Sequence, residues 1–379
     1  MDRYLDWTRR NQAALIAYIR ELVECESPSD SPKDVNRFAE LIGDSLKGIA
    51  KVKTFAGGAY GKHLQAEFTL PGKRKDGQVL GLGHSDTVWP RGTLKSMPFR
   101  QDAGRLWGPG VLDMKAGVAF FVFAVKALRE LDTPVARKVI LQLNSDEEVG
   151  SESSRALTEE TANMSLAVLV LEPGTGLRGK LKSARKGVGG YKVTVTGKAS
   201  HAGVDFEAGV NAILELARQI PRIAAFTQIP RGVTVNPGVI AGGTRSNVVP
   251  AQAELDVDIR VAKLRDFDPL DRKFRGLRPI DKRCSIAIDG GLNRPPMERS
   301  AGIVQLFKKA QTLARDLGIE LEESMTGGGS DGNFTAALGI PTLDGIGAVG
   351  EGAHATNESI LVERIADRTA LLAKLIAAI

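Results

Sequence analysis

The sequence predicts an α/β fold: a mixed sheet flanked by helices, with a smaller α+β two-layer sandwich inserted into it. Three observations lead there. The chain has 379 residues, 42% of them hydrophobic and 25% charged, a length that usually divides into two domains. Several short apolar runs end in a histidine or an acid and then enter a helical or loop segment, as strands do in α/β sheets that bind ligands at their ends. Between Lys180 and Gly291 the apolar runs give way to period-two alternation, the mark of half-exposed antiparallel strands. Residues 1–179 and 292–379 are therefore expected to form one discontinuous domain, and 180–291 the insert.

The elements follow in order. Leu15, Ile16, Ile19, Leu22 and Val23 carry helical spacing over about Leu5–Val23, and a second helix is expected over Val35–Leu46. Strands are expected at Lys51–Phe55 and Gln65–Leu70. The central strand, VLGLG from Val79, ends in His84-Ser85-Asp86. Side chains alternate along a strand, so His84 and Asp86 point the same way. An aspartate there can take the second ring N–H of the histidine and leave the other nitrogen for a metal. LWGPGVLDM delivers Asp113 to the start of a long apolar helix. VILQLN ends in Ser145-Asp146-Glu147-Glu148, and AVLVL ends in Glu172. The insert reads strand–helix–strand–strand–helix–strand. After it come a helix over Gly302–Leu317, the glycine loop TGGGSDGNF, an apolar strand IPTLDGIG, a loop with His354 and a helix over 362–378.

The net charge is +6, from 51 basic and 45 acidic residues. The basic residues are scattered and no basic block is interleaved with aromatics, which argues against nucleic acid and fits a small anionic substrate. Cys25 and Cys284 are too far apart in sequence for a disulfide framework or a metal motif. The N-terminal segment has no apolar signal core, and there is no run of 18 apolar residues. A cytoplasmic protein without membrane contact is expected. His63 follows no motif and reads as a surface residue. Trp89 and Trp107 read as packing.

GHSDTV, GPGVLDMKAG, SDEEVGS, LEPG, KASHAG, SNVVP, TGGGSD and GAHATNE resemble, in order and over nearly the whole chain, the M20 metallopeptidases. Within these the likeness is greatest to the glutamate carboxypeptidase (carboxypeptidase G) group. The resemblance implies a zinc-exopeptidase-like fold with a lid or dimerisation insert, and a two-zinc site. One zinc would take His84 and Glu172, the other Glu148 and His354, with Asp113 bridging. Asp86 would orient His84, and Glu147 would be the general base. His201 would come from the partner subunit of a homodimer to stabilise the oxyanion. Arg260, Arg294, Asn247, Lys180 and the loop Gly327–Gly329, with Gly328 and Gly329 at its heart, would bind the C-terminal residue.

The residue types agree with those roles. Two histidines and three carboxylates are nitrogen and oxygen donors that suit zinc, and would also accept cobalt or manganese. The alternating strands and amphipathic helix of the insert can pair edge to edge with a second copy. The expected activity is hydrolysis of the amide bond to a C-terminal amino acid, glutamate first, in a small peptide or N-acyl amino acid. The alternative is an N-acyl-amino-acid deacylase or desuccinylase on the same scaffold. A metal-dead binding protein would have lost ligands, and none is missing.

Overall fold

The computed structural model describes residues 2–379. It divides into two units, the first running to Ala184 and resuming over 299–325 and 330–379, the second made of 185–298 and 326–329. The limits expected at 180 and 291 thus fall at 185 and 298, and the short return at 326–329 was not expected.

The first unit opens with α1 (Arg3–Arg10), α2 (Gln12–Glu24) and α3 (Pro32–Ser45). One helix was expected over Leu5–Val23; the chain instead breaks at Asn11. The Asn11 side-chain amide donates to the Trp7 carbonyl at 2.9 Å, the local bond with which asparagine competes against the helix. The main sheet is built from β1 (Ala50–Ala56), β2 (Lys62–Phe68), β3 (Gln78–His84), β6 (Lys138–Asn144), β7 (Ser165–Val170) and β14 (Thr342–Leu343). Their order is β1-β2-β6-β3-β7-β14. The first pairings are antiparallel, whereas β6, β3, β7 and β14 run parallel. IPTLDGIG, expected as a full strand, gives only the two residues of β14.

Two short strands, β4 (Arg100–Asp102) and β5 (Arg105–Trp107), form a small sheet with β15 (Gly350–Glu351) and β16 (Ser359–Leu361). Around the sheets lie α4 (Ala116–Glu130), α5 (Arg155–Asn163), α8 (Ala301–Asp316), α9 (Gly332–Ala337) and α10 (Ile365–Ala378). Strands β8 (Leu181–Arg185) and β13 (Glu323–Thr326) pair separately.

What positions the site is the register of the three inner strands. His84 of β3 stands level with Asn144 of β6, and Leu82 of β3 with Val170 of β7. Parallel strands end on one edge, so the residues after them are delivered together. Helix α4 is buried on nearly all sides, and two glycines let it come close. A Cβ at Gly81 would strike the Phe121 ring, and one at Gly117 would overlap the Leu171 carbonyl oxygen.

In the second unit β9 (Gly187–Thr196), β10 (Thr234–Gly242), β11 (Gln252–Val261) and β12 (Ser285–Arg294) make an antiparallel sheet of order β10-β11-β9-β12. Buried and exposed residues alternate along β9 and β11. The inward face packs with α6 (Ala212–Ala224) and α7 (Phe267–Arg275) into one core, where Tyr191 stacks on Phe274 at 3.9 Å between ring centroids. Among the described residues no helix is long and apolar enough to cross a membrane.

Candidate metal centre

The ends of the parallel strands β3, β6 and β7 deliver His84, Glu148 and Glu172, and the turn before α4 and the β15–β16 loop add Asp113 and His354. Donor atoms of His84, Asp113 and Glu172 lie within 4.8 Å of one another, as do those of Asp113, Glu148 and His354. Asp113 belongs to both groups and divides its oxygens between them: Oδ1 is 3.2 Å from His84 Nε2, and Oδ2 is 3.2 Å from His354 Nε2. Glu172 Oε1 lies 3.6 Å from His84 Nε2, and Glu148 Oε2 lies 3.3 Å from His354 Nε2. A tetrahedral ion with bonds near 2.1 Å separates its donors by about 3.4 Å, so both triads have the right spacing.

The protons point to the same conclusion. His84 Nδ1 sits 2.9 Å from the Asp86 carbonyl oxygen. A carbonyl only accepts, so Nδ1 carries the hydrogen and the neutral ring turns a lone pair on Nε2 towards two carboxylates. Lone pair facing lone pair is repulsive unless a proton or a cation lies between. Burial pushes the His84 imidazole down, yet Asp113, Asp86 and Glu172 outweigh it and hold its pKa well above the usual value. Hydrogen bonds to Asp113 and Glu148 carry His354 up to about 10. Burial opposes ionisation of Asp113, but the two histidines hold its carboxyl well below the usual range. Burial raises Glu148, whose Oε1 is buried without a hydrogen-bond partner. Three carboxylates and two neutral imidazoles carry −3, which divalent cations offset. The donor set therefore fits metal.

Asp86 was expected to take the His84 proton with its carboxylate. Its carbonyl is the nearer partner, and the carboxylate stands 3.5 Å from Nδ1. That carboxylate instead accepts the backbone N–H groups of Glu147 and Glu148, each at 3.2 Å, and the Ser29 hydroxyl at 2.8 Å. It fixes the acidic turn that presents Glu147 beside Glu148. His354 has φ +62°, a left-handed conformation uncommon outside glycine and frequent at functional sites.

Sequence reasoning passed over two side chains that matter here, Glu358 and Asp331, and misplaced a third, His63. Glu358 is fully buried. It accepts the N–H groups of Leu112 and Asp113 on Oε1, and those of Gly110 and the Trp89 indole on Oε2. It thereby ties the His354 loop to the Asp113 loop. Asp331 accepts from the Asn144 amide and the Ser151 hydroxyl, bracing both sides of the acidic turn. His63, expected at the surface, is 1% exposed. Its Nδ1 lies 3.1 Å from Ser145 N and 2.9 Å from Ser145 Oγ. It faces inward because β2 is covered on that side. Only the position of Glu358, four residues after His354, could have drawn notice.

Lys180, expected at the substrate, lies in the first unit and is ion-paired with Glu322. The remaining expected residues are in the second unit. Arg260 grips Asp258 through two bonds of 2.9 and 2.8 Å and donates to the Gly327 carbonyl at 3.4 Å. Arg185, missed in the sequence, donates to the carbonyls of Gly328 at 3.1 Å and Gly329 at 2.9 Å. Arg294 is buried at the end of β12, and a Cβ on Gly329 would stand 3.1 Å from its Cδ. Three arginines thus surround the glycine segment. His201 and Asn247 are exposed neighbours: the Ala202 N–H donates to the Asn247 carbonyl. His201 Nδ1 accepts from Gly203 N and Val204 N, which leaves the proton of the neutral ring on Nε2.

Residues 81–378 match peptidase family M20/M25/M40. The chain belongs to that family. Carboxypeptidase G2 of Pseudomonas sp. (strain RS-16) is 29% identical over 374 residues, covering 96% of this chain and 89% of that protein. The M20-family relatives include the succinyl-diaminopimelate desuccinylase of Stenotrophomonas maltophilia (strain R551-3), 26% identical over 75% of this chain and 79% of its own length. The fold is that of a dinuclear metal-binding M20 peptidase from Bacillus subtilis, with a TM-score of 0.69 at 14% identity, covering 98% of each chain. The chain is accordingly a hydrolase of the M20 metallopeptidase family.

Proposed function

We propose that this M20 protein is a dizinc exopeptidase that hydrolyses the amide bond to a C-terminal amino acid, glutamate above others. The observation that carries the reading is the division of Asp113 between two donor triads. One ion would be held by His84, Asp113 and Glu172, the other by Asp113, Glu148 and His354. When bound, such a pair polarises a carbonyl and lowers the pKa of water. Glu147, set beside the cluster by the Asp86 clamp, takes the proton of the attacking water and returns it to the leaving amine. Arg260, Arg294, Asn247, Gly328 and Gly329 hold the anionic end of the substrate, with Arg185 steadying the glycine carbonyls. The Glu322 ion pair argues against such a role for Lys180.

The protein acts as a homodimer through the second unit. Strand β10 is an edge strand with Val239 and Ile240 exposed, a template for pairing with a second copy. The Nε2–H of His201 of the partner subunit then supplies the oxyanion donor. Activity should return when His201→Ala and Glu147→Gln subunits are mixed and exchange; no recovery despite proven exchange removes donation in trans.

The deciding experiment measures metal content and hydrolysis of X-Glu, X-Asp and X-Ala amides beside N-acetyl and N-succinyl amino acids. Two metals per chain and preference for the glutamate amide are expected. Full activity with one metal or fewer would overturn the dinuclear reading. Preference for N-acetyl or N-succinyl amino acids would favour the deacylase alternative.

A further inference from the structure

The acidic turn runs from Ser145, directly after β6, to Ser153, ahead of α5, with Glu147 and Glu148 between them. The Asp86 carboxylate holds its middle. One side chain of β2 reaches both of its ends. Leu64 of β2 stands opposite Leu143 of β6, so His63 lies one step further, where β6 gives way to the turn. His63 is buried, and both ring nitrogens are engaged. Nδ1 lies 3.1 Å from the Ser145 backbone nitrogen and 2.9 Å from Ser145 Oγ. Nε2 lies 3.3 Å from Ser153 Oγ, which donates in turn to Asp146 Oδ2 at 2.7 Å. A backbone N–H only donates, so Nδ1 is the bare nitrogen and Nε2 carries the hydrogen. The imidazole accepts at the head of the turn and donates at its tail. A Cβ on Gly57 would stand 2.8 Å from both the imidazole Cε1 and Ser145 Oγ, so bare main chain closes over the two together. Burial keeps the His63 pKa below its ordinary 6.5, although Asp146, Asp331 and Asp86 pull it up. The neutral ring is thus the form present at neutral pH.

Resting on the hydrolase reading above, we infer that His63 is a positioning residue for Glu147. By fixing both ends of the turn, it sets the carboxylate that takes the water's proton, and Glu148 beside it, against the metal cluster. A turn held only at its middle can pivot about the Asp86 carboxylate; held at head and tail as well, it cannot. Misplacing a catalytic group by about 1 Å costs on the order of 10²-fold in rate, so a modest pivot is enough to matter.

The test uses two neutral replacements that keep opposite halves of the ring's function. In His63→Asn the amide oxygen stands where Nδ1 stood and still accepts from Ser145. In His63→Gln the amide reaches the Nε2 position and Ser153, and the acceptor at Ser145 is lost. Rates are measured at saturating metal on the best-cleaved amide of the panel above, and circular dichroism checks folding. In His63→Gln kcat should fall at least about tenfold with KM within about twofold of the wild type. In His63→Asn kcat should stay within about threefold of the wild type. An unchanged kcat in His63→Gln, an equal fall in His63→Asn, or a change confined to KM overturns the positioning role and leaves the hydrolase reading standing. Nitrogen NMR of the wild-type imidazole should find the hydrogen on Nε2; a hydrogen on Nδ1 overturns the proposal even if a variant fails to fold. If the wild type cleaves no amide, the hydrolase reading fails, and the visible spectrum of the cobalt-loaded protein then decides. Bands shifted in His63→Gln and restored in His63→Asn support the hold on the turn, and bands unchanged in His63→Gln discard it.

Discussion

Glu358→Gln is the most informative single change. The carboxylate accepts four N–H groups at 2.7 to 3.0 Å, two on each oxygen, and is shielded from water. Glutamine keeps one oxygen and turns an NH2 towards the other pair. Two bonds are lost, at about 1.5–3 kcal/mol each for a charged acceptor, or about 3–6 kcal/mol together. Part of that loss falls on the fold and part on the Asp113 loop, whose N–H groups would then face a donor. The metal-free variant should unfold at lower urea than the wild type. The chelator concentration that strips half its metal should fall at least about tenfold, equivalent to about 1.4 kcal/mol. Because Asp113 is shared between the triads, all the bound metal should weaken together. Reduced stability with unchanged metal retention would refute the positioning argument and leave Glu358 as a brace of the fold alone.

Three further outcomes are expected. Glu147→Gln should keep its metal while kcat falls by about 10² to 10⁴; loss of metal instead would reverse the roles of Glu147 and Glu148. Arg294→Lys keeps the charge but loses the planar fork, so kcat/KM on a glutamate amide should fall at least about tenfold; an unchanged value makes Arg294 structural. Burial lowers the His63 pKa from its ordinary 6.5. Below about pH 6.5 the unfolded chain therefore binds a proton that the folded chain resists, and stability drops as pH falls through that range. The stability difference between pH 7.5 and 5.5 should shrink in His63→Gln relative to the wild type, and equal differences would exclude a contribution from His63.

Much of this was legible because strand ends write their chemistry into consecutive residues. His84, Glu148 and Glu172 each follow an apolar run, and a parallel sheet turns that local pattern into a cluster. Residues that act as acceptors for distant backbone leave no such trace. Glu358 serves donors 245 to 269 positions away, and its only local mark is its distance from His354. His63 shares its face of β2 with the polar Gln65 and Glu67, so it reads as a surface residue until Ser145 is brought to it. The helix break at Asn11 lies inside an unbroken amphipathic pattern, because burial spacing survives a one-residue interruption. The tetrapeptide 326–329 joins the second unit through carbonyls bonded to Arg185 and Arg260, and backbone carbonyls are the same in every sequence.

Gly117 has a consequence for how the cluster could be altered. Where it stands, helix α4 rests on the main chain at Leu171, with no side chain between. Asp113 lies four residues before that point on the helix side, and Glu172 one residue after it on the strand side. The gap between these two carboxylates is therefore gauged by one backbone lying on another. A dimension set by side chains can be retuned by exchanging leucine for methionine or valine for isoleucine; this one has no such adjustment. Attempts to redesign the enzyme should find the surrounding loops permissive and this contact fixed, so that new selectivity is written around an unchanging bore.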